Sequence, residues 1–237
     1  MEKFESEVIT NVHLETLAKS IYDESAQMGF KSGDYVKLMN HILGMTISNS
    51  NENSNNNSIK TDRIKISKSF PLKGKNVNIR EYNHENDKDF LIKWFEDEVS
   101  KLFLLSTTSA RIQNIENLIS DENNLFGTIT LKDNTPIGLL AVLNVDKKNN
   151  KGEMRKLIGD VKQRGKGYAK EASILWINYC SEILGLNKIY ISTIDTNIKN
   201  ISLNRQLGFQ IEGLLKKECT IENIEHDVLR MAYFKKI

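Results

Sequence analysis

A chain of 237 residues with 39% apolar content is long enough to pack one domain with an appendage, and 33 basic against 31 acidic residues leave a net charge of only +2. That balance excludes the strongly basic face of a general nucleic-acid binder or of a protein held on an anionic membrane. No apolar run reaches the roughly eighteen residues of a membrane span, and Met1-Glu2-Lys3-Phe4-Glu5 lacks the basic-then-apolar order of a secretion leader, so a cytoplasmic protein is expected.

Residues 1–48 read as a helical hairpin. Leu14, Leu17, Ala18, Ile21, Tyr22, Ser25 and Met28 recur at helical spacing, as do Tyr35, Leu38, Met39, Ile42 and Leu43, and Gly29 to Asp34 supply the break, with Ser32 or Asp34 as the cap of the second helix. Two helices cannot cover both apolar stripes against each other, so the hairpin is expected to dock on its own domain, to pair two copies as a homodimer, or to meet another protein. Residues 49–68, with Asn51-Glu52-Asn53-Ser54-Asn55-Asn56-Asn57, form a polar low-complexity linker.

The third region, 69–237, alternates strand and helix patterns. A strand is expected near Val77–Glu81, helices near Asp87–Phe103 and Ser109–Ser120, and strands at Leu125–Leu131 and Ile137–Asp146 joined by a turn at Lys132 to Pro136. A strand over Met154–Gly159 and a helix from Tyr168 to Leu184 follow, the helix carrying Tyr168, Ala172, Leu175, Trp176, Tyr179 and Ile183 on one face. Then come a strand at Lys188–Asp195, a short helix at Ile198–Leu207 and two closing strands, which together give a mixed α/β sheet, mostly antiparallel, with helices on both faces. Cys180 and Cys219 make no disulfide framework, and His13, His41, His84 and His226 have no ligand spacing, so no metal site is expected.

Between the Met154 strand and its helix lies Lys162-Gln163-Arg164-Gly165-Lys166-Gly167-Tyr168. Glycines at the head of a helix let a phosphate approach unpaired first-turn N–H groups and the positive end of the macrodipole, and Lys162, Arg164 and Lys166 add cationic side chains. The same pair of glycines also suits an ordinary strand-to-helix turn. It is not a dinucleotide fingerprint, because Lys170 stands where the third glycine belongs, and no Gly-Lys-Ser/Thr follows as in a P-loop.

The stretch Gly152-Glu153-Met154-Arg155-Lys156-Leu157-Ile158-Gly159-Asp160, then Gly165-Lys166-Gly167-Tyr168-Ala169-Lys170-Glu171-Ala172, resembles the fourth strand, pyrophosphate loop and third helix of the GNAT N-acetyltransferase superfamily, above all its RimJ/RimL-like branch. Asp195 to Asn200, Leu207-Gly208-Phe209 and Glu212-Gly213 are similar to that family's segment after the fifth strand and its closing helix. The likeness covers about Asn76 to Lys236 and is absent before about Phe70. It implies the GNAT fold for 69–237, acetyl-CoA as cofactor, and a cofactor site made by Ile158, Lys162, Gln163, Arg164, Gly165, Lys166, Gly167, Tyr168, Asn197 and Asn200. Asn197 and Asn200 read equally well as caps of the helix that follows them.

Acetyl transfer to an amine needs a route for one proton to leave. The resemblance points to Glu153 as the carboxylate that takes it, with Asp160 as the second candidate; the alternatives are ion pairing for Glu153 and turn bracing for Asp160. Many family members place a tyrosine, as acid for the thiolate, where this chain has Asn204, which leaves Tyr190 and Tyr233 as substitutes. Acceptor choice is expected around Trp94, Glu96, Asp97, Glu98, Phe103, His226 and Asp227. The reading is an N-acetyltransferase acting on a primary amine of a small molecule or peptide, such as a protein N-terminus, a polyamine or an amino-sugar nucleotide. The alternative is a non-catalytic acyl-CoA sensor working through its hairpin. No nucleic acid and no membrane is expected as a partner.

Overall fold

The computed structural model describes residues 11–49, 70–97, 100, 115–194, 197–221 and 224–235. The chain divides into two units, Met1–Ser54 and Asn55–Ile237. The expected linker falls at residues that, from 50 to 69, lie outside those described.

In the first unit α1 spans Asn11–Gln27 and α2 spans Ser32–Asn49. Asp34 closes the entry to α2: its carboxylate accepts the Lys31 N–H at 2.9 Å while its own N–H donates to the Lys31 carbonyl at 2.8 Å. Tyr35 ties the helices together, stacking on Tyr22 with ring centres 5.5 Å apart and hydrogen-bonding with Ser25. Leu14, Leu17, Tyr22 and Met39 remain more than half or half exposed, consistent with two stripes too wide to cover each other.

The second unit is one sheet of eight strands, β1 Leu72–Lys73, β2 Val77–Glu81, β3 Leu125–Leu131, β4 Pro136–Asp146, β5 Lys151–Ile158, β6 Lys188–Ile194, β7 Gln210–Ile221 and β8 Ile224–Phe234, in the order β1-β2-β3-β4-β5-β6-β8-β7. Every neighbouring pair is antiparallel except β5 and β6. That parallel pair has three rungs, ending at Glu153↔Tyr190, although β5 runs on to Ile158 and β6 to Ile194. The two strands therefore part in mid-sheet.

Strand alternation assigns the two faces. On one, Leu139, Ala141, Leu143, Phe126 and Leu157 pack with Leu91, Trp94 and Phe95 from α3 (His84–Trp94) and the residue that follows it. On the other, the Trp176 indole lies against Gly127 of β3. Trp176 belongs to α5 (Tyr168–Asn178), which runs into a π-helical turn at Tyr179–Ile183 and buries Ala172, Leu175, Trp176 and Tyr179. Glu171, in its first turn, accepts the Asn76 N–H at 2.7 Å and the Asn76 amide at 2.8 Å, fixing the helix to the β1–β2 turn.

The α3 helix starts at His84 because Asn83 accepts the Asn86 N–H at 3.0 Å. It stops at Trp94, short of the expected Phe103, with Phe95 as its C-cap and Leu91, Trp94 and Phe95 all buried against the sheet. Burial pushes the Asp87 carboxyl up, but hydrogen bonds from Arg80, the Asn83 N–H and Thr128 outweigh it and hold the group below its ordinary value, locking α3 to β2 and β3. The second early helix, α4, is described over Ile115–Ser120; the earlier part of the expected span, 109–114, and Phe103 lie outside the described residues. Finally α6 spans Ile198–Gln206.

Candidate functional site

Where β5 ends the chain turns sharply. Asp160 accepts the Lys162 N–H at 2.9 Å, a 3-10 turn follows over Val161–Gln163, and Gly165 and Gly167 adopt φ of +78° and +83° before α5 begins. Such angles suit glycine, and a Cβ at either position would project into open space with nothing within 4 Å. Gly167 is the N-cap and provides no side-chain bond. Among the described residues nothing accepts the N–H groups of Gly165, Lys166, Gly167, Tyr168 and Ala169. Five consecutive backbone donors thus stand at the positive end of α5, which is the arrangement an anion of diphosphate size calls for.

A cleft of about 550 Å³ leads from this turn toward the gap between β5 and β6. Its lining brings together Ile158, Gln163, Arg164, Gly165, Gly167, Tyr168, Asn197 and Asn200, eight of the ten residues expected at the cofactor site. Lys162 and Lys166 sit on the exposed side of the turn, outside the lining, and the Lys166 ammonium donates to the Gln163 side chain at 2.9 Å. The Arg164 guanidinium is already engaged: Nε donates to the Ile158 carbonyl at 2.8 Å and Nη2 to Asp97 at 2.7 Å, and that bond keeps the Asp97 carboxyl below its ordinary value. It braces the end of β5 from within. Asn197 caps α6 by accepting the Asn200 N–H at 3.2 Å, and the Asn200 amide donates to Thr193 at 3.1 Å, so both asparagines hold the α6 entry and also face the cleft.

The two expected catalytic carboxylates lie elsewhere. Asp160 serves the turn and is not part of the lining. Glu153, 3% exposed, sits on the α3 face of β5 at the last rung of the parallel pair, bonded to Arg155 Nη2 at 2.8 Å. Burial depresses the Arg155 pKa, with the Glu153 carboxylate opposing the shift. Tyr233 packs on Phe209 with ring centres 6.0 Å apart, and Tyr190, its pKa raised by burial and then by Glu153, lies under Arg230; neither lines the cleft.

Lys156 is the titratable residue of the cleft with a displaced pKa, and it is not among the residues expected at the site. It lines the cleft from β5 and donates its ammonium to the side chain of Asn204, which is fully buried. Burial, reinforced by Arg155, brings the Lys156 pKa down from 10.5 to about 7. The available signal was its place between Met154 and Ile158, on the inward parity of a strand. Cys180 is buried and its thiol is pushed up by burial, which makes it inert as a nucleophile. No cluster of three or more His, Cys, Asp or Glu fit to hold a metal occurs among the described residues, nor any helix long and apolar enough to cross a membrane.

A family model described as an acetyltransferase (GNAT) domain matches residues 77–229. Spermidine N(1)-acetyltransferase of Escherichia coli (strain K12) is 31% identical over 103 residues, which are 44% of this chain and 55% of that protein, so the chain spans about half the length of that relative. A probable N-acetyltransferase of Bacillus subtilis (strain 168), YjcK, is 25% identical over 171 residues, 67% of this chain and 94% of the relative. The crystal structure of spermidine N-acetyltransferase from Vibrio cholerae in complex with CoA and spermine shares the fold, with a TM-score of 0.59 at 21% identity over 67% of this chain and 95% of that one.

Proposed function

Because the chain belongs to the GNAT acetyltransferase domain family, we propose that it transfers the acetyl group of acetyl-CoA to a primary amine by direct attack within a ternary complex, in the manner of the RimJ/RimL-like branch and in the cytoplasm. The observation that carries this reading is the row of five unaccepted N–H groups opening onto a cleft that leads to parted parallel strands. Acetyl-CoA supplies the activated acetyl group. The Gly165–Ala169 main chain holds the diphosphate, with Lys162 and Lys166 adding charge from outside. Ile158, Asn197 and Asn200 line the course of the pantetheine arm, and the edge of β5 beyond Glu153 offers main-chain donors to the thioester carbonyl.

Proton traffic falls to two groups. Glu153, on the far face of the sheet at the point where the strands part, takes the proton of the attacking amine directly or through water. Lys156 meets the departing thiolate from the cleft side, in place of the tyrosine that Asn204 displaces; with a pKa of about 7 it has a proton to give near neutrality. Asp160, the second candidate, accepts the Lys162 N–H, and its part in this reading is to hold the turn. Proximity and orientation provide the rest of the rate, and no acyl-enzyme is needed.

Release of free CoA thiol from acetyl-CoA, followed with peptide, polyamine and amino-sugar amines, tests the reading. Turnover with any of them supports it. CoA binding with no turnover across the set would instead support an acyl-CoA sensor.

A further inference from the structure

The face of the sheet opposite the cleft carries a buried polar patch with unanswered donors. Glu153 and Arg155 of β5 share that face with Tyr190 and Ser192 of β6 and Arg230 of β8, since Glu153 pairs with Tyr190 and Ser192 with Arg230. Three atoms in this patch are shut off from solvent without a hydrogen-bond partner among the described residues: Arg155 Nε, Ser192 Oγ and Arg230 Nε. Arg155 is 3% exposed; its Nη2 bonds Glu153 and its Nη1 donates to the Ser192 carbonyl at 3.3 Å, across the gap where β5 and β6 have stopped pairing. The Arg230 guanidinium lies 5.1 Å over the Tyr190 ring, and no carboxylate among the described residues pairs with it.

Of the two guanidinium groups in this patch, Arg155 is paired with a carboxylate, whereas Arg230 has none among the described residues. Buried donors are ordinarily answered, and guanidinium nitrogens beside a hydroxyl are suited to an oxygen anion, which accepts from both. Two of the acidic groups expected to draw a polycation are already engaged: Asp97 accepts from Arg164, and Asp227 from Lys216 and the Lys217 N–H.

We propose that Arg155, Ser192 and Arg230 form an oxyanion-binding subsite beside the strand gap, and that the acceptor is a small primary amine bearing a carboxylate or a phosphate rather than a polyamine. This rests on the acyl-transfer reading for its chemistry, because it is the amine of such an acceptor that reaches the gap. The subsite itself is a binding site and can be examined without turnover. Arg155 and Ser192 stand just past the last rung of the parallel pair, so an acceptor anchored there lies within a small molecule's length of Glu153 and of the gap leading to the cleft.

Two measurements on the full chain test this. In the thiol-release assay, alanine is compared with alaninamide, glucosamine 6-phosphate with glucosamine, and all four with spermidine. The oxyanion-bearing member of at least one pair should exceed its neutral partner and spermidine by about tenfold or more in kcat/KM, and Arg230→Gln should raise its KM about tenfold while kcat and CoA affinity stay within a few-fold. Equal rates within both pairs, a preference for spermidine, or an unchanged KM in Arg230→Gln would overturn the proposal. The second measurement is calorimetry with inorganic phosphate after CoA has saturated the cleft. Wild-type protein should bind phosphate, and Arg230→Gln and Ser192→Ala should bind it about tenfold more weakly; no binding, or binding equal in all three, would overturn the subsite. If no amine releases thiol although CoA binds, the acyl-transfer reading fails, and the phosphate titration still decides whether the subsite exists.

Discussion

Lys156 gives the structure its sharpest quantitative consequence. An ammonium whose pKa falls from 10.5 to about 7 on folding is disfavoured by about 5 kcal/mol at a pH where it must stay charged, at about 1.36 kcal/mol per pH unit. Between about pH 7 and 10.5 the unfolded chain holds that proton and the folded chain does not, so stability climbs with pH across this window; below about pH 7 both forms are protonated and the whole penalty is present. Lys156→Met removes the charge and keeps the hydrocarbon stem, but it leaves the Asn204 side chain without its donor at a cost of about 1–3 kcal/mol. The variant should therefore be more stable than wild type by about 2–4 kcal/mol at pH 6, and equal or less stable near pH 10.5. Urea unfolding at pH steps from 6 to 10.5 measures both curves, with acetyl-CoA absent. Parallel curves, with a constant gap between wild type and variant, would refute the burial of this charge. The same variant should slow acetyl transfer, because the departing thiolate loses its proton donor.

Glu153→Gln should leave CoA affinity near normal and lower kcat about a hundredfold, most at lower pH where the acceptor amine is more fully protonated; an unchanged pH–rate profile would assign proton removal to another group, and a parallel thermal melt reports any loss from breaking the pair with Arg155. Trp176→Ala, which empties the largest fully buried side-chain site between α5 and the sheet, should cost about 3–5 kcal/mol in chemical denaturation, whereas a loss under 1 kcal/mol would mean that α5 is not packed as described. We propose that the hairpin of α1 and α2 pairs two copies of the chain; light scattering should then give twice the chain mass, falling to one in Leu17→Lys/Met39→Lys, and a monomer at all concentrations would contradict it.

The elements that the sequence made legible are those with strong periodicity or punctuation. The face of α5 could be read from Ala172, Leu175, Trp176 and Tyr179, and the turn from Gly165 and Gly167, because each signal lies within a few residues. What could not be read depends on distant partners. Arg164 reads in the sequence as a charge for the cofactor, yet its guanidinium goes to Asp97, 67 residues away in sequence. Lys156 stands on the inward parity of its strand, but the partner of its ammonium, Asn204, lies 48 residues downstream. A strand of two residues such as Leu72–Lys73 shows no periodicity at all, and the widening of α5 into a π turn leaves no local mark. The pair Glu153–Arg155 was within reach, since residues two apart on a strand share a face.

The central claim is that main-chain N–H groups at Gly165 to Ala169 grip a diphosphate. Calorimetric titration with CoA and with pantetheine, which lacks the diphosphate, addresses it directly, repeated on Gly167→Val, whose branched side chain would fill the open space before α5. CoA should bind at least about a hundredfold more tightly than pantetheine, and the variant should lose that advantage. Equal affinities for the two ligands, or undiminished CoA binding by Gly167→Val, would contradict it.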